Sequence, residues 1–400
     1  MQEDDSYRLS SQFRLWSFTR QQLQERRQLT NKLAADKVRG SFRRARVAGG
    51  LAPPSNGLED LPGSSAPASN TATPEPTPRP EGNAAVVPLT AAEELRMLQW
   101  GCEKILELKD VLEVADDRGR MVLCTAIQYL RRFYLSNSPM SYHPKQILTC
   151  AIWLAYKSDH MPQHTLYAIE NFVARLDKTT VDDVTAPEFL LMQSLRFTLE
   201  VKHPIRGLDG CASDLKRLAN TGQLLVENMQ GPQLQRRIDK AHQVAKGLCI
   251  KDVQMTDAYF LYTPPQIHLA CLVIADKVLI MSYIDALFEQ LGTRIGPIKQ
   301  KLIDAVSSCA ELISSYRSFT EDDGMRKELA KIGKKLRKCQ DPEKQDLVRN
   351  EKAKLEKNYK NGEDSDDDRY VKKRKKEEDG EVFGPGLGSV KTDIKHRNGA

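Results

Sequence analysis

No stretch of 18 apolar residues occurs anywhere in this chain, so no segment reads as a membrane-spanning helix. Met1 is followed by Gln-Glu-Asp-Asp, not by a basic patch and an apolar run, so the start does not read as a secretory signal. The eight cysteines are scattered, with no pair closer than 22 residues and no C-x-x-C. That spacing excludes a zinc ribbon, argues against a disulfide framework and predicts buried free thiols in a reducing compartment. Together these absences predict a soluble intracellular protein. G-x-x-x-x-G-K-[ST], G-x-G-x-x-G, H-E-x-x-H and G-x-S-x-G are all missing, which removes the common nucleotide, zinc-protease and hydrolase signatures. His160 and His164 stand four apart beside Asp159, but Pro162 breaks the helix that would set both on one face. No metal site is expected. Aromatic residues make up only 6% and hydrophobic residues 40% of the 400 positions, so part of the chain is expected to lie outside any packed core. The net charge of +6 is small for this length and does not by itself predict nucleic-acid binding.

What is present is a repeat. Tyr142-His143-Pro144-Lys145-Gln146-Ile147, closing at Ala155-Tyr156-Lys157, is matched 120 residues later by Tyr262-Thr263-Pro264-Pro265-Gln266-Ile267, closing at Ala275-Asp276-Lys277. A Pro near the start and apolar residues at Ile147, Cys150, Ala151 and Leu154 describe a buried helix opened by Pro in its first turn. The period is too long for a solenoid and suits two consecutive all-α domains of about 100 residues each. The apolar spacing predicts helices over about 91–115, 118–135, 144–157, 164–176 and 185–198, with Leu95, Leu98, Ile105 and Leu108 of the first facing in. A second set follows at about 205–219, 231–261, 264–280, 282–291 and 297–316.

The flanks differ from this core. Residues 1–47 form an N-terminal segment whose basic helix, about 19–47, carries a thin stripe of Leu23, Leu33, Val38 and Phe42. Residues 48–88 are a Pro/Ser/Ala-rich linker with a disordered composition. The two repeats occupy 89–200 and 201–317, and charged helices fill 318–360, including a Lys-rich one striped by Met325, Leu329, Ile332 and Leu336. Residues 361–400 read as a disordered acidic and basic tail, in which Lys372, Lys373, Arg374, Lys375 and Lys376 make a nuclear-import candidate.

Four segments in order, Leu95-Arg96-Met97-Leu98-Gln99-Trp100, Ala126 to Leu135, Leu148 to Lys157 and Glu188 to Leu199, resemble the successive helices of a cyclin box. Arg132-Phe133-Tyr134-Leu135-Ser136-Asn137-Ser138 and Thr256-Asp257-Ala258-Tyr259 narrow the resemblance to the cyclin H branch of the cyclin family. So do both ends, Trp16-Ser17-Phe18-Thr19 and Asp366-Asp367-Asp368-Arg369-Tyr370-Val371, and the extra linker fits a fungal member.

The resemblance implies an all-α protein of tandem cyclin-box repeats, two five-helix domains with added terminal helices. It implies a regulatory subunit, not an enzyme and without cofactor, that binds and activates a cyclin-dependent kinase in the nucleus. The implied partners are that catalytic subunit, a RING-finger assembly factor and the core of transcription factor IIH, and the implied output is phosphorylation of the RNA polymerase II C-terminal domain. No membrane or direct nucleic-acid contact is implied. Other transcriptional cyclins, of the C, K, L or T kind, and a promoter-binding core like transcription factor IIB share the duplicated fold; the latter is weakened by the absent zinc ribbon and by basic charge lying in the tails.

By position, Lys157 and Glu188 correspond to the Lys and Glu that join box helices and reach the kinase, Phe197 and Leu199 fall where cyclins present apolar contacts, and Ser158 and Asp159 follow the Lys. Each has a plainer alternative. Thr185-x-x-Glu188 could be a capping box, Lys157 a cation favourable at a helix C-terminus, and Phe197 and Leu199 core. The chain also departs from the family. Ser158-Asp159-His160 stands where many cyclins carry an aromatic and two Glu, and Leu95 to Trp100 replaces the Met-Arg-x-Ile-Leu docking helix.

Overall fold

Each copy of the repeated motif becomes the helix around which half of the core is built. The structure, a computed structural model, describes residues 7–48, 86–114, 116–159, 169–224, 226, 229, 231–291, 296–320, 322–344 and 346–354. The chain divides into two units, Met1–Leu347 and Val348–Ala400; in the second, the described residues 348–354 are helical. Among the described residues every regular element is a helix, and no helix is long and apolar enough to cross a membrane. The import candidate at Lys372 to Lys376, the linker at 49–85 and the His160/His164 pair lie outside the described residues.

In the first unit, α1 (Ser11–Trp16) and α2 (Arg20–Ala48) precede α3 (Ala91–Val111), α4 (Asp117–Phe133), α5 (Pro144–Ser158), α6 (Ile169–Ala174), α7 (Val181–Thr185) and α8 (Glu188–Ser194). The second half runs α9 (Ile205–Asn220), α10 (Pro232–Ile250), α11 (Asp252–Met255), α12 (Ala258–Leu261), α13 (Pro264–Ala275), α14 (Lys277–Leu291) and α15 (Gly296–Ser314), and α16 (Asp323–Cys339) follows. Pro144 and Pro264 sit in the first turns of α5 and α13, where no amide hydrogen is needed. The repeated glutamines do the same work in both: Gln146 Oε1 accepts from the His143 amide at 3.1 Å and Gln266 Oε1 from the Thr263 amide at 2.9 Å. Ile147, Cys150, Ala151 and Leu154 are all buried, and α5 packs on α3, α4, α7 and α8. In turn, α13 packs on α9, α10, α14 and α15. Two apolar cores result, one centred on α4 and α5, the other on α10 and α13.

A polar layer joins the halves. Gln128 Nε2 donates to Gln254 Oε1 at 2.8 Å, and His203 shares hydrogen bonds with Thr125 Oγ1 at 2.9 Å and the Tyr259 hydroxyl at 2.8 Å. Burial, with Arg132 nearby, pushes the His203 imidazole down to about 3, so it stays neutral. Asp257 receives Arg27 from α2 and Arg131 from α4. The terminal helices are equally tied down. Ala34, Ala35 and Val38 of α2 share a small core with Ile332, Leu336 and Cys339 of α16, and Lys335 bonds Glu93 at 2.6 Å.

Several expected details shift. The stripe of α2 keeps Leu23 and Val38 buried and Phe42 half-buried as expected, but it passes through Ala34 and Ala35 in place of Leu33, which is 51% exposed. In α3 it is Glu94, not Leu95, that faces inward: Leu95 is 37% exposed and Ser138 Oγ donates to Glu94 Oε1. The expected 231–261 helix breaks at Lys251 and again at extended Thr256, and the expected 185–198 helix is shortened to α8, Glu188–Ser194, with Thr185 closing α7 before it.

Burial lifts the Glu94 carboxyl from 4.5 up to about 7. A raised carboxyl stabilises the fold below its unfolded value and loses that contribution as pH rises through the folded one. Glu94→Gln is therefore expected to stabilise the chain at pH 8 by about 3 kcal/mol and to have almost no effect near pH 4.5, as measured by urea unfolding at both pH values.

Candidate functional site

The last turn of α5 ends in a cation whose place follows from helix electrostatics: Lys157 lies beside the carbonyls of its own C-terminus. Its Nζ bonds Glu188 Oε1 and lies 5.8 Å from the Trp153 ring centroid. Side-chain exposure is 40% for Lys157 and 20% for Glu188, so the pair orients two helices more than it stabilises them. Glu188 is free for this because the alternative box does not form. The Thr185 hydroxyl donates to Val181 O at 3.0 Å, and the box that does form is Thr180 with Asp183, one helix earlier.

Ser158 faces inward from the same turn. Its Oγ and the Tyr129 hydroxyl are 2.9 Å apart, and Tyr129 donates to Leu199 O at 2.6 Å, tying α4, the end of α5 and the segment after α8 together. Burial raises the Tyr129 hydroxyl above its ordinary value, so it remains a donor. Asp159 caps α5, its amide donating to Ala155 O at 3.0 Å, and its side chain is exposed.

Phe197 is 61% exposed, an uncommon state for a Phe. Phe189, 58% exposed, meets it edge to face with centroids 6.4 Å apart. The two rings thus form an apolar projection beside the Lys157–Glu188 pair. Leu199 does not join it: its side chain is half-buried against the first core. Phe189 and Tyr129 were not singled out by the sequence reading. Phe189 was legible, since in α8 it lies two residues from buried Leu191 and therefore on the outward side. The role of Tyr129 was not, because its partners are 29 and 70 residues away.

All eight cysteines are buried free thiols, and burial lifts Cys102 up to about 11 and Cys124 up to about 12, the direction that suppresses the thiolate. Among the described residues no three His, Cys, Asp or Glu side chains are grouped so as to hold a metal ion. An ion pair beside two solvent-facing phenylalanines, Phe189 on α8 and Phe197 in the turn that follows it, has the make-up of a protein-binding patch.

A model of the cyclin C-terminal domain matches residues 203–314. Cyclin CCL1 of Saccharomyces cerevisiae is 32% identical over 286 residues, which are 72% of this chain and 62% of that protein, so the chain spans less than two thirds of its length. Cyclin-H of Xenopus laevis is 26% identical over 292 residues, 72% of this chain and 81% of that one. Among solved structures, a chain of the CAK complex of Chaetomium thermophilum bound to ATP-γ-S is 28% identical, with a TM-score of 0.69 over 92% of this chain and 99% of that one. A chain of the yeast TFIIK (Kin28/Ccl1/Tfb3) complex is 26% identical, with a TM-score of 0.51 over 77% of this chain and all of that one.

Proposed function

We propose, from the premise that this chain is a cyclin H-like protein of the fungal kind, that it binds and activates a cyclin-dependent kinase of the transcription factor IIH kinase module. It works in the nucleus, with a RING-finger assembly factor and the core of that factor as further partners, and the output is phosphorylation of the RNA polymerase II C-terminal domain. The observation that carries the reading is the exposed Phe189–Phe197 pair set beside the Lys157–Glu188 bridge on the helices of the first core. The names of the related complexes support the choice of partner.

A protein kinase becomes active when the Lys of its β3 strand pairs with the Glu of its αC helix and its activation loop is ordered. A rigid surface that binds the active placement of αC better than the inactive one shifts that equilibrium by its differential affinity, with no catalytic group of its own. Phe189 and Phe197 supply the apolar contacts, while Lys157 and Glu188 hold the ends of α5 and α8 at a fixed separation and offer polar contacts at the rim. The substitution Lys157→Ala with Glu188→Ala is expected to leave the far-ultraviolet circular dichroism unchanged and to weaken kinase association about tenfold, read by biolayer interferometry with the co-purified kinase. Unchanged binding would remove these two residues from the interface. Affinity purification from native cells, with phosphorylation of heptad peptides as the readout, tests the wider reading; recovery of polymerase and promoter DNA without a kinase would overturn it.

A further inference from the structure

Between α8 and α9 the backbone reverses through two consecutive residues in the left-handed region, Arg196 at φ 52° and Phe197 at φ 55°. Neither is glycine, so both are strained, and two in succession persist only where surrounding contacts over-determine them. Local bonds supply part of that constraint: the Arg196 amide donates to Gln193 O at 3.0 Å and the Phe197 amide to Met192 O at 3.0 Å.

The rest comes from α1, more than 180 residues away in sequence. Trp16 Nε1 donates to Thr198 Oγ1 at 3.0 Å, just beyond the turn. Gln12, buried, closes a two-way bond with the Lys202 backbone: its Oε1 accepts from the amide at 2.7 Å and its Nε2 donates to the carbonyl at 3.4 Å. Arg132 stands between them. It is 2% exposed, donates to the carbonyls of Thr198 at 3.4 Å and Glu200 at 3.3 Å and to Gln12 Oε1 at 3.3 Å, and lies 5.1 Å from the Trp16 ring centroid. Arg196 covers the same indole at 6.0 Å. A buried cation that spends its donors on carbonyls, with no carboxylate among its hydrogen-bond acceptors in the described residues, is set to hold backbone in place.

We infer that Trp16 and Gln12 of α1, acting with Arg132, are positioning residues that hold the Arg196–Phe197 turn in its strained conformation and thereby fix the Phe197 ring outward for the kinase. The inference rests on the kinase reading above, and it makes the N-terminal helix a determinant of kinase affinity through the turn it grips. Loosening the grip lets the turn relax, and the apparent dissociation constant rises in inverse proportion to the fraction of molecules that keep the outward ring.

The test places 4-fluorophenylalanine at position 197 of the full chain and records its fluorine resonance together with affinity for the co-purified kinase. The parent is expected to show one sharp resonance. Trp16→Phe, which keeps a ring but loses the indole donor, and Thr198→Val, which removes the acceptor at constant size, are each expected to split or broaden it and to weaken kinase binding about tenfold. Adding Arg196→Gly to Trp16→Phe supplies a residue that accepts the left-handed region without strain; it is expected to restore the single resonance and part of the affinity, which mere loss of packing at Trp16 would not allow. A single parental resonance with unchanged affinity in Thr198→Val would overturn the inference, whatever the fate of Trp16→Phe. Phe197→Ala measured alongside separates the two readings: unchanged affinity there overturns the kinase contact, while the fluorine spectra still decide the grip on the turn.

Discussion

Phe189→Ala together with Phe197→Ala is expected to weaken kinase association about a thousandfold, the largest effect of any surface substitution on this chain. Both rings are more than half exposed in the isolated subunit, so removing them takes little from its core. They meet edge to face, and, being mostly exposed, the pair contributes far less to folding than two buried aromatics would. In a complex the balance reverses. Aromatic side chains that become fully desolvated at the centre of an interface commonly cost 2 kcal/mol or more each on truncation, and about 4 kcal/mol corresponds to the stated loss. The thermal midpoint of the free subunit should move by no more than about 2 °C. Calorimetric titration against the kinase, with melting curves of the free subunit, checks both halves. A loss below tenfold would mean that the kinase does not cover this projection, and a fall in midpoint matching the loss of affinity would mean that the rings serve the fold.

The sequence made half of this arrangement visible. The repeated Pro-x-Gln-Ile motif predicts both central helices because each of its residues acts locally: proline opens the first turn, glutamine returns to the N-cap amide, and the apolar residues fall on one face. The breaks at Lys251, Thr256 and Asp276 have no such signature. Asp276 illustrates the difference: it ends α13 in an extended conformation while Arg237, 39 residues earlier, clasps both its carboxylate oxygens at 2.5 and 2.9 Å, a constraint set by the packed fold. That clasp also accounts for the lack of symmetry between Lys157 and Lys277, since the chain bends at Asp276 and Lys277 becomes the first residue of α14. The small residues Ala34 and Ala35 were passed over in favour of Leu33 because alanine carries little hydropathic signal, although both are buried in the core shared with α16. At the site, the alternatives for Glu188 could not be separated from sequence, since a Thr three residues earlier satisfies the capping-box pattern whether or not the helix starts there. Placing α7 at Val181–Thr185 removes the capping box, because Thr185 then lies at a helix end and not at a beginning.

The joint between the two halves should prove the most sensitive point of the fold. Asp257, between α11 and α12, accepts two bonds from Arg27 at 2.7 and 2.6 Å and one from Arg131 at 2.5 Å. Arg131 is 4% exposed; it also donates to Met255 O at 3.2 Å, and among the described residues its Nε is buried without a hydrogen-bond partner. Removing the carboxylate strands that cation in a low-dielectric site, the circumstance in which breaking an ion pair costs far more than the pair contributed. Asp257→Ala is expected to destabilise the subunit by about 4 kcal/mol and to lower its thermal midpoint by about 6 °C. Arg27→Ala, which leaves Arg131 and Asp257 paired, should cost less than half as much, and a double-mutant cycle between positions 27 and 257 measures their coupling. The two arginines hold the Asp257 carboxyl below its ordinary value of 3.8. A depressed carboxyl adds stability above its unfolded value and loses it as pH falls through the folded one. The parent should therefore weaken below about pH 4, through this carboxylate among others, while Asp257→Ala loses less in the same window, the reverse of the dependence expected for Glu94. Should Asp257→Ala melt within 2 °C of the parent, the halves would be held by the apolar contacts and the glutamine pair at their interface, and the buried arginine would owe nothing to its aspartate.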